Sequence, residues 1–524
     1  MSISTQDLEA AIAGYLAGTL SSNQLKPVLA PSGIYEQRNA LFMLRVRITG
    51  GHLESASLRG LAGVMERHHI PLGHLSSRQA IQLHDVQAGE ILGTMGECRS
   101  IGLPFKGGGG NTYRNILISP DSGLAPEGAF DVLPYALAIQ QTLASRPEAL
   151  QLPRKFKVGI FSKPDEAFMA AVQDLGFLAV TSGDRRGFVV YGGGGLGRES
   201  GVGVKLFDFL PHDQFIRCTL AMLHLFNEQG DRVNRHQARL RFVLKARGAE
   251  DFSRLFHFYF EKTVWDVPVL PPAPDYNALA LRRRKLSPDT LPEAGYQLWT
   301  RHAVGATNLG ADHVTVRLYV PYGNLTPEQC RRLAAVADDF SGGFLRLMRS
   351  QDLLLGPVPA ATLPALYNRL LADFPELDLT LRSFRGHITT CVGSSVCKIG
   401  ILSAPLLADT IADHLDPLLP ADTPGKLKML RLITDDIRIS GCPNSCSAHP
   451  TAWLGFQGLK RKVGEKVEDV VLPFSGRCLQ PDSLRLSACS EATPAITLDR
   501  LPFVVTEALG AEMGVSQETG QKKH

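Results

Sequence analysis

Apolar and polar side chains alternate in two stretches of the chain that lie far apart, residues 41–48 (LFMLRVRI) and 313–320 (HVTVRLYV). Alternation with a period of two residues is typical of a β-strand that has one buried face. A turn with glycine or a polar residue, an amphipathic helical pattern and a second strand pattern follow each stretch. The chain therefore contains two predicted β-α-β units.

The two units repeat each other at a constant offset of 272 residues, without gaps. Arg45–Leu53 lies over Arg317–Leu325, and farther along the chain Gln79 matches Gln351. A single unit of this size buries its own sheet face poorly, so we expect the copies to pair around a pseudo-two-fold axis. The alternative is two unrelated ferredoxin-like folds that align by chance.

The segments outside the repeat carry mixed strand and helix patterns, with a proline-rich linker at 267–274. We therefore predict an α+β protein with a pseudo-two-fold internal repeat of ferredoxin-like half-domains plus two mixed α/β domains. The predicted boundaries are 1–95 for the first half-repeat, 96–275 for an α/β domain with the linker, 276–385 for the second half-repeat and 386–524 for the last α/β domain.

Composition narrows the class of protein. A chain of 524 residues with 44% hydrophobic side chains can build several cores, and a net charge of +4 is only mildly basic. The one tight basic run, Arg282–Lys285, suits a solvated linker better than a nucleic-acid site. No long apolar stretch predicts a membrane span, and the acidic N-terminal segment does not resemble a secretion signal. We expect a cytoplasmic protein without nucleic-acid or membrane partners.

Four of the nine cysteines form a constellation, Cys391 and Cys397 in a C-x5-C motif and Cys442 and Cys446 in a C-x3-C motif. Groups of four thiolates hold zinc or an iron–sulfur cluster. Zinc sites favour tighter C-x2-C pairs, so these spacings favour a [4Fe–4S] cluster over zinc. The remaining cysteines are isolated and are expected to be inert core thiols: Cys98, Cys218, Cys330, Cys478 and Cys489.

The segments TCVGSSVCK (390–398) and ISGCPNSC (439–446) resemble the signature of the sirohaem- and [4Fe–4S]-dependent nitrite and sulfite reductases. The resemblance covers nearly the whole chain and includes the internal repeat. It implies that the four cysteines of the constellation hold the cluster, and that Cys446 also bridges to the sirohaem iron as its axial ligand.

The same family places cations around its substrate, a small oxyanion. The segments FMLRVR, NTYRN and LPRKFK match family motifs, and the resemblance implies that Arg45, Arg114, Lys155 and Lys157 form the anion pocket. Without the family, Arg45 and Lys157 would be interpreted as outward-facing charges of alternating strands.

A second set is expected to hold the macrocycle, whose carboxylates need charged or hydrogen-bonding partners. SSRQAIQLH (76–84) resembles a family strand, which implies that Arg78, Gln82 and His84 share one strand face toward the sirohaem. Further cofactor-binding candidates are Arg154, Arg239 and Asn444; a salt bridge on a helix surface would explain Arg239 equally well.

Two glycine tracts also stand out. Gly192–Gly197 satisfies G-x-G-x-x-G, but the residues after it begin a helix poorly, which argues against a nicotinamide site. The family uses such tracts to bring backbone close to the cofactor, and Gly107–Gly110 is expected to do the same. Without a flavin or nicotinamide domain, the electrons must come from ferredoxin or a separate flavoprotein.

Two features disagree about the substrate. In the resembling family, a lysine at the position of Lys157 is typical of sulfite reductases. The Cys-Val-Gly segment at Cys391, in contrast, resembles the cluster loop of nitrite reductases. Because Lys157 lies nearer the chemistry, we expect six-electron reduction of sulfite to sulfide, with reduction of nitrite to ammonia as the alternative. A precorrin-3B synthase-like oxygenase and a non-catalytic cluster protein are less favoured. The resemblance also implies a monomer.

Overall fold

The computed structural model describes residues 4–281, 295–377, 383–420, 422–463, 465–479, 484–489 and 494–513. The basic run at 282–285 lies outside the described residues. Within these ranges, no helix combines the length and the apolar character needed to cross a membrane.

The first part of the chain packs helices against short strands whose inward side chains are almost entirely apolar. Its elements are α1 (Thr5–Leu16), α2 (Ser22–Leu29), β1 (Ile34–Glu36), β2 (Phe42–Val46), β3 (His52–Glu54), α3 (Ser55–Arg67), β4 (Leu72–Leu75), β5 (Ile81–Val86) and α4 (Ile91–Ser100). Helix α1 begins at a capping box, in which Ser4 and Asp7 satisfy each other's backbone N–H groups. Leu44 and Leu83 face each other across β2 and β5 and are fully buried.

The second part is a mixed sheet covered by helices. Its elements are β6 (Leu117–Ile118), α5 (Leu133–Ala144), β7 (Val158–Phe161), α6 (Ala167–Ala171), β8 (Leu175–Ser182), β9 (Arg185–Gly192), β10 (Val204–Pro211), α7 (Phe215–Gln229), α8 (Leu240–Arg247), α9 (Ala249–Lys262) and α10 (Tyr276–Leu281). The sheet order is β10-β9-β8-β7-β6, with β6, β7 and β8 parallel. Residues 263–275 have no regular secondary structure, as expected of the proline-rich linker, and Val269 is 93% exposed.

The third part repeats the first. Its elements are α11 (Tyr296–Ala303), β11 (Val304–Ala306), β12 (His313–Leu318), β13 (Asn324–Leu325), α12 (Pro327–Ser341), β14 (Phe344–Leu347), β15 (Leu353–Pro359) and α13 (Leu363–Asp373). Strands β2, β3, β4 and β5 correspond to β12, β13, β14 and β15 at the offset of 272 residues.

The last part forms a further mixed sheet. Its elements are β16 (Thr389–Thr390), α14 (Ala404–Leu415), α15 (Thr423–Asp436), β17 (Ile437–Ser440), β18 (Leu454–Val463), β19 (Lys466–Phe474), β20 (Ile496–Thr497) and α16 (Leu501–Met513). Strands β16, β17 and β18 are parallel, and β19 and β20 add to them in antiparallel fashion.

The two copies of the repeat exchange a strand. The first sheet has the order β1-β2-β5-β4-β13, and the second has the order β11-β12-β15-β14-β3. Asn324 on β13 pairs with His74 on β4, and in the symmetry-related contact His52 on β3 pairs with Arg346 on β14. Each sheet is therefore completed by the other copy, which confirms the predicted α+β fold with a pseudo-two-fold repeat.

Helices α3 and α12 pack against each other beside these sheets. Arg59 on α3 pairs with Asp338 on α12, and Arg331 on α12 pairs with Glu66 on α3. These two ion pairs are related by the same offset, because Arg331 and Asp338 are the equivalents of Arg59 and Glu66. The pseudo-two-fold axis therefore passes between the two helices. The domain boundaries predicted from the sequence stay a prediction.

Candidate active site

Four cysteines lie on two loops that leave neighbouring strands at one edge of the last sheet. Cys391 directly follows β16, and Cys442 comes two residues after β17, its parallel neighbour. The loops are hydrogen bonded to each other: the Gly441 N–H donates to Cys391 Sγ (3.2 Å), and the Leu402 N–H donates to the Gly441 carbonyl (2.9 Å). Parallel strands that end together thus bring the two motifs together, although the sequence separates them widely.

The thiols of Cys391, Cys397 and Cys442 all lie close enough to Cys446 to be affected by its charge. Burial raises the pKa of Cys391 to about 12, and negative charge on Cys446 and Cys442 adds to the increase. Burial, followed by Cys446, also raises the pKa of Cys397 and of Cys442. Among the described residues, no group of three or more Cys, His, Asp or Glu side chains could hold a single metal ion. Thiols on two adjoining loops have the chemistry that iron–sulfur clusters and zinc both use.

The loop Cys442–Cys446 rests on two other parts of the chain. Ser77 Oγ donates to the Cys446 carbonyl (2.5 Å), and Ser445 Oγ donates to the Gly197 carbonyl (3.3 Å). Cys446 is exposed. Its negative charge would oppose the lowering of the Lys155 pKa, so the two side chains belong to one electrostatic neighbourhood. The cysteine cluster thus adjoins the predicted cationic pocket at Cys446.

Arg45 and Arg114 are oriented by the glycine tract Gly107–Gly110. Arg45, in the middle of β2, donates through Nη1 to the Gly108 carbonyl (2.7 Å). Arg114 is buried and donates to the carbonyls of Gly109 (3.0 Å) and Gly110 (2.8 Å). Burial, together with the neighbouring arginines, lowers the pKa of Arg114 to about 9. The tract therefore presents backbone oxygens to arginines at the pocket wall.

Lys155 and Lys157 lie in the segment immediately before β7, which begins at Val158. They nevertheless alternate as expected, since Phe156 between them is fully buried in the opposite direction. Burial and then Arg239 lower the pKa of Lys155 to about 7, and burial, Lys155 and Arg78 hold the pKa of Lys157 well below its usual value. Both residues are half-buried.

Gln82 and His84 share one face of β5, as predicted, and Gln82 lies opposite Arg45 of β2. Neither ring nitrogen of His84 has a hydrogen-bond partner among the described residues. Burial, with smaller contributions from His74 and Arg45, lowers the pKa of His84 to about 3. His84 is therefore a neutral imidazole with two unused polar atoms.

The predicted strand does not extend to Arg78. This residue lies in the turn between β4 and β5, where the next residue, Gln79, has a positive φ of 53°. From the turn, Arg78 donates to Gln173 Oε1 (2.9 Å) and to the Val158 carbonyl (2.8 Å), while its Nε has no partner among the described residues. Burial, together with the like charge of Arg114, lowers the pKa of Arg78 to about 9. Arg78 thus reaches the pocket from a turn instead of from the strand face.

Arg239 immediately precedes α8 and forms a buried ion pair, so the alternative of a salt bridge on a helix surface is wrong. Its Nη2 donates to both carboxylate oxygens of Asp174 (3.0 and 2.9 Å), and the side chains are 5% and 0% exposed. Asp174 also accepts the backbone N–H of Lys157 (2.9 Å). This carboxylate anchors two cationic segments of the pocket.

Arg154 lies in the same neighbourhood, since burial and then Arg235 and Arg239 lower its pKa. Asn444 lies at the cysteine loop, where its amide donates to Cys442 Sγ (3.5 Å), and its side chain is exposed. The structure therefore brings the predicted residues into one region, although Asn444 contacts the cysteines rather than the cations.

Sequence reasoning missed Asp174 and Arg241. Arg241 follows Arg239 in an R-x-R pattern that could have indicated it, and its Nε and Nη1 have no partner among the described residues. Burial, followed by Arg239, lowers the pKa of Arg241 to about 10. Asp174 carries no comparable signal, because a single acid between a helix and a strand is usually a cap or a surface group.

The tract Gly192–Gly197 does not open a helix. Strand β9 ends at Gly192, Gly195 forms a bridge with Gly201, and the chain continues into β10. A Cβ on Gly194 would lie 2.1 Å from the Ala171 carbonyl oxygen, so this glycine is needed for close packing. A dinucleotide motif requires a helix at this point, and the tract instead supports the loop of Cys446.

A cysteine loop beside a buried cationic pocket, on a duplicated α+β fold, is an arrangement suited to an oxidoreductase that acts on a small anion. Two family models match the chain. The nitrite and sulphite reductase 4Fe-4S domain matches residues 109–264, and the nitrite/sulfite reductase ferredoxin-like half domain matches residues 35–100 and again 309–373.

Individual proteins show the same likeness. The ferredoxin–nitrite reductase of Synechococcus elongatus is 29% identical over 482 residues, which are 90% of this chain and 86% of that protein. The sulfite reductase [ferredoxin] of Mycobacterium tuberculosis is 25% identical over 424 residues, 80% of this chain and 70% of that protein. The solved structure of the Mycobacterium tuberculosis NirA protein shares the fold, with a TM-score of 0.78 at 21% identity, over 98% of this chain and 92% of that chain. The chain belongs to the family of sirohaem- and [4Fe–4S]-dependent nitrite and sulfite reductases.

The residues of the site fit the two cofactors of this family. Many cations surround Asp174 in the pocket and repel one another. The carboxylates of a polyanionic macrocycle would reduce this repulsion. The cations are Arg45, Arg78, Arg114, Arg154, Lys155, Lys157 and Arg239. Unpartnered buried N–H groups of Arg78, His84 and Arg239 are suitable donors to its carboxylates. When bound, the cluster and the sirohaem supply electron storage and an iron that binds the anion.

Proposed function

We propose that the protein reduces nitrite to ammonia with six electrons supplied by ferredoxin. The observation that carries this proposal is the contact of the cationic pocket with the cysteine loop, where Ser77, the residue before Arg78, donates to the Cys446 carbonyl. A cluster held by the four cysteines would supply electrons beside an anion in this pocket. Oxygen atoms that leave as water need protons, and the cations of the pocket are positioned to donate hydrogen bonds to them.

The relatives support nitrite over the sulfite that Lys157 alone suggested. The ferredoxin–nitrite reductases of Synechococcus elongatus and Arabidopsis thaliana match 90% and 85% of the chain, against 80% for the mycobacterial sulfite reductase. Sulfite is the second candidate, because Lys157 adds a cation that suits a dianion.

A direct comparison of the two substrates tests the proposal. With reduced methyl viologen as donor, we expect kcat/KM for nitrite to exceed that for sulfite at least about tenfold, a difference of about 1.4 kcal/mol in transition-state stabilisation. Lys157→Asn is expected to lower sulfite turnover more than nitrite turnover. The matched control is Lys205→Asn, since Lys205 forms an exposed pair with Asp208 on β10. A preference for sulfite would establish the second candidate.

Absorption spectra and metal analysis distinguish the less favoured functions. Purified protein with iron and sulfide but without sirohaem bands, and without turnover of either anion, would point to a precorrin-3B synthase-like oxygenase or a non-catalytic cluster protein. We further propose that the protein is a monomer, which size-exclusion chromatography with light scattering measures directly.

We propose that ferredoxin delivers its electrons near Cys397. This loop reaches the surface, since Ile399 is 66% exposed. Arg38 is exposed beside it and donates to the Gly400 carbonyl (3.0 Å). A basic group next to an exposed apolar side chain suits an acidic electron carrier. Arg38→Glu is expected to lower ferredoxin-supported turnover several-fold and to leave methyl viologen-supported turnover unchanged; equal loss with both donors would contradict this docking site.

A further inference from the structure

Tyr35 is a half-buried residue whose phenol takes no part in the chemistry proposed above. It lies in β1 and pairs with Met43 of β2, two residues before Arg45. Its hydroxyl oxygen accepts a hydrogen bond from the Gly110 N–H (2.6 Å). Because that bond occupies the oxygen as an acceptor, the hydroxyl proton is free to point toward another group.

The hydrogen bond of Tyr35 holds the same backbone that orients the pocket arginines. The Gly108 carbonyl accepts from Arg45, and the carbonyls of Gly109 and Gly110 accept from Arg114. The fit is tight, because a Cβ on Gly109 would lie 2.5 Å from the Tyr35 hydroxyl oxygen. A shift of this tract would therefore move both guanidinium groups.

Positive charges surround the phenol. Burial alone would raise the pKa of Tyr35, but Arg114, Arg45, the Gly110 N–H and Arg154 together bring this pKa below its usual value of 10. Arg45 also lies over the ring, 5.9 Å from its centroid. The negative charge of a tyrosinate at this position would raise the pKa of Arg114 in return. Ionisation of Tyr35 would thus cancel one positive charge of the pocket.

We propose that Tyr35 is a positioning residue of the anion pocket, which fixes the glycine tract behind Arg45 and Arg114 and, by its own ionisation, sets the net charge that the anion meets. The inference rests on the proposed function, since it concerns the same oxyanion site. The neutral phenol adds no negative charge to the pocket and keeps the arginines in place. The phenolate reduces the attraction for an anion, so affinity falls as the pH rises through the ionisation of Tyr35.

The test is a titration of the holoenzyme with sodium nitrite, followed by the change in sirohaem absorption, from neutral to alkaline pH. In Tyr35→Phe we expect Kd at neutral pH to rise about 3- to 10-fold, the cost of one lost hydrogen bond. The alkaline loss of affinity should become smaller, because only Lys155, Arg114 and the other cations of the pocket still titrate. Replacement of Tyr35 by 3-fluorotyrosine, a more acidic phenol of nearly the same size, should move the alkaline loss to lower pH. Tyr259→Phe is the control, because Tyr259 bonds to Glu228 and Gln229 on a different face.

Three results would each overturn the proposal: an unchanged neutral Kd in Tyr35→Phe, an alkaline loss of affinity as large in this variant as in the natural protein, or no such loss in the natural protein. Circular dichroism and the haem content of each variant are measured to separate these effects from misfolding. Failure of the proposed function is distinguishable, because it appears as a lack of nitrite turnover in the natural protein. In that case the same binding titration with sulfite still reports on Tyr35.

Discussion

The buried pair of Asp174 and Arg239 offers the sharpest test of how the pocket is built. Asp174→Asn keeps the size of the side chain and removes its charge, so Arg239 is left as an uncompensated cation close to Lys155 and Lys157. Loss of one partner from a buried ion pair costs about 3–5 kcal/mol. The Asp174 carboxylate is fully buried and makes two hydrogen bonds to Arg239 and one to the Lys157 N–H, so the upper part of that range applies.

Thermal unfolding of the purified protein measures this cost. For a unit of 150–250 residues, 1 kcal/mol corresponds to roughly 2–4 °C in Tm, so a loss of about 4–5 kcal/mol in Asp174→Asn should lower Tm by about 8–20 °C. The double variant Asp174→Asn/Arg239→Met should recover at least half of the loss, because it removes the stranded charge as well. The control Asp208→Asn, in an exposed pair with Lys205, should change Tm by less than about 2 °C. A double variant no more stable than the single one would refute the reasoning.

Three further predictions address other parts of the molecule. Cys446→Ser is expected to lose cluster iron and sulfide, whereas Cys218→Ser, at a fully buried thiol of α7, should retain the full iron content; metal analysis compares them. Burial lowers the pKa of His449 to about 3, so the folded protein keeps this ring neutral while the unfolded chain takes up a proton below about pH 6.5. Stability is therefore lost as the pH falls from 6.5, by up to about 1.4 kcal/mol per pH unit, and His449→Phe should show a smaller decrease of Tm between pH 6.5 and 5. In a double-mutant cycle of Arg59 and Asp338 on α3 and α12, the coupling should be below about 1 kcal/mol, because both side chains are more than 40% exposed; a larger value would show that this ion pair holds the repeat together.

The sequence was sufficient for the repeat and for the cysteine site. A constant offset without gaps specifies which elements of the two copies correspond. Cysteine spacing is a local property of the sequence, so it can be interpreted without knowledge of the fold. Alternation also placed Gln82 and His84 on one face correctly. It failed for Arg78, because the backbone turns at Gln79, and a positive φ at a residue other than glycine leaves little trace in a sequence.

Contacts between distant segments could not be predicted. Arg239 pairs with Asp174 across 65 residues, and nothing near either residue indicates the other. Tyr35 meets the glycine tract across 75 residues, for the same reason. The substrate was assigned to sulfite from Lys157 alone, and the comparisons favour nitrite, because specificity depends on the whole pocket rather than on one cation.

The exchange of β3 and β13 has a consequence for synthesis of the chain. Strand β4 ends at Leu75, but its edge partner β13 begins only at Asn324, so the first sheet stays incomplete while about 250 further residues are made. At ribosomal rates of about 5–20 residues per second this interval lasts on the order of 10–50 s. During that time the edge of β4 presents unpaired backbone groups, which other chains can join. Full-length product should therefore depend on chaperones that cover nascent strand edges, and a chain that stops before Asn324 should aggregate rather than fold as an isolated half.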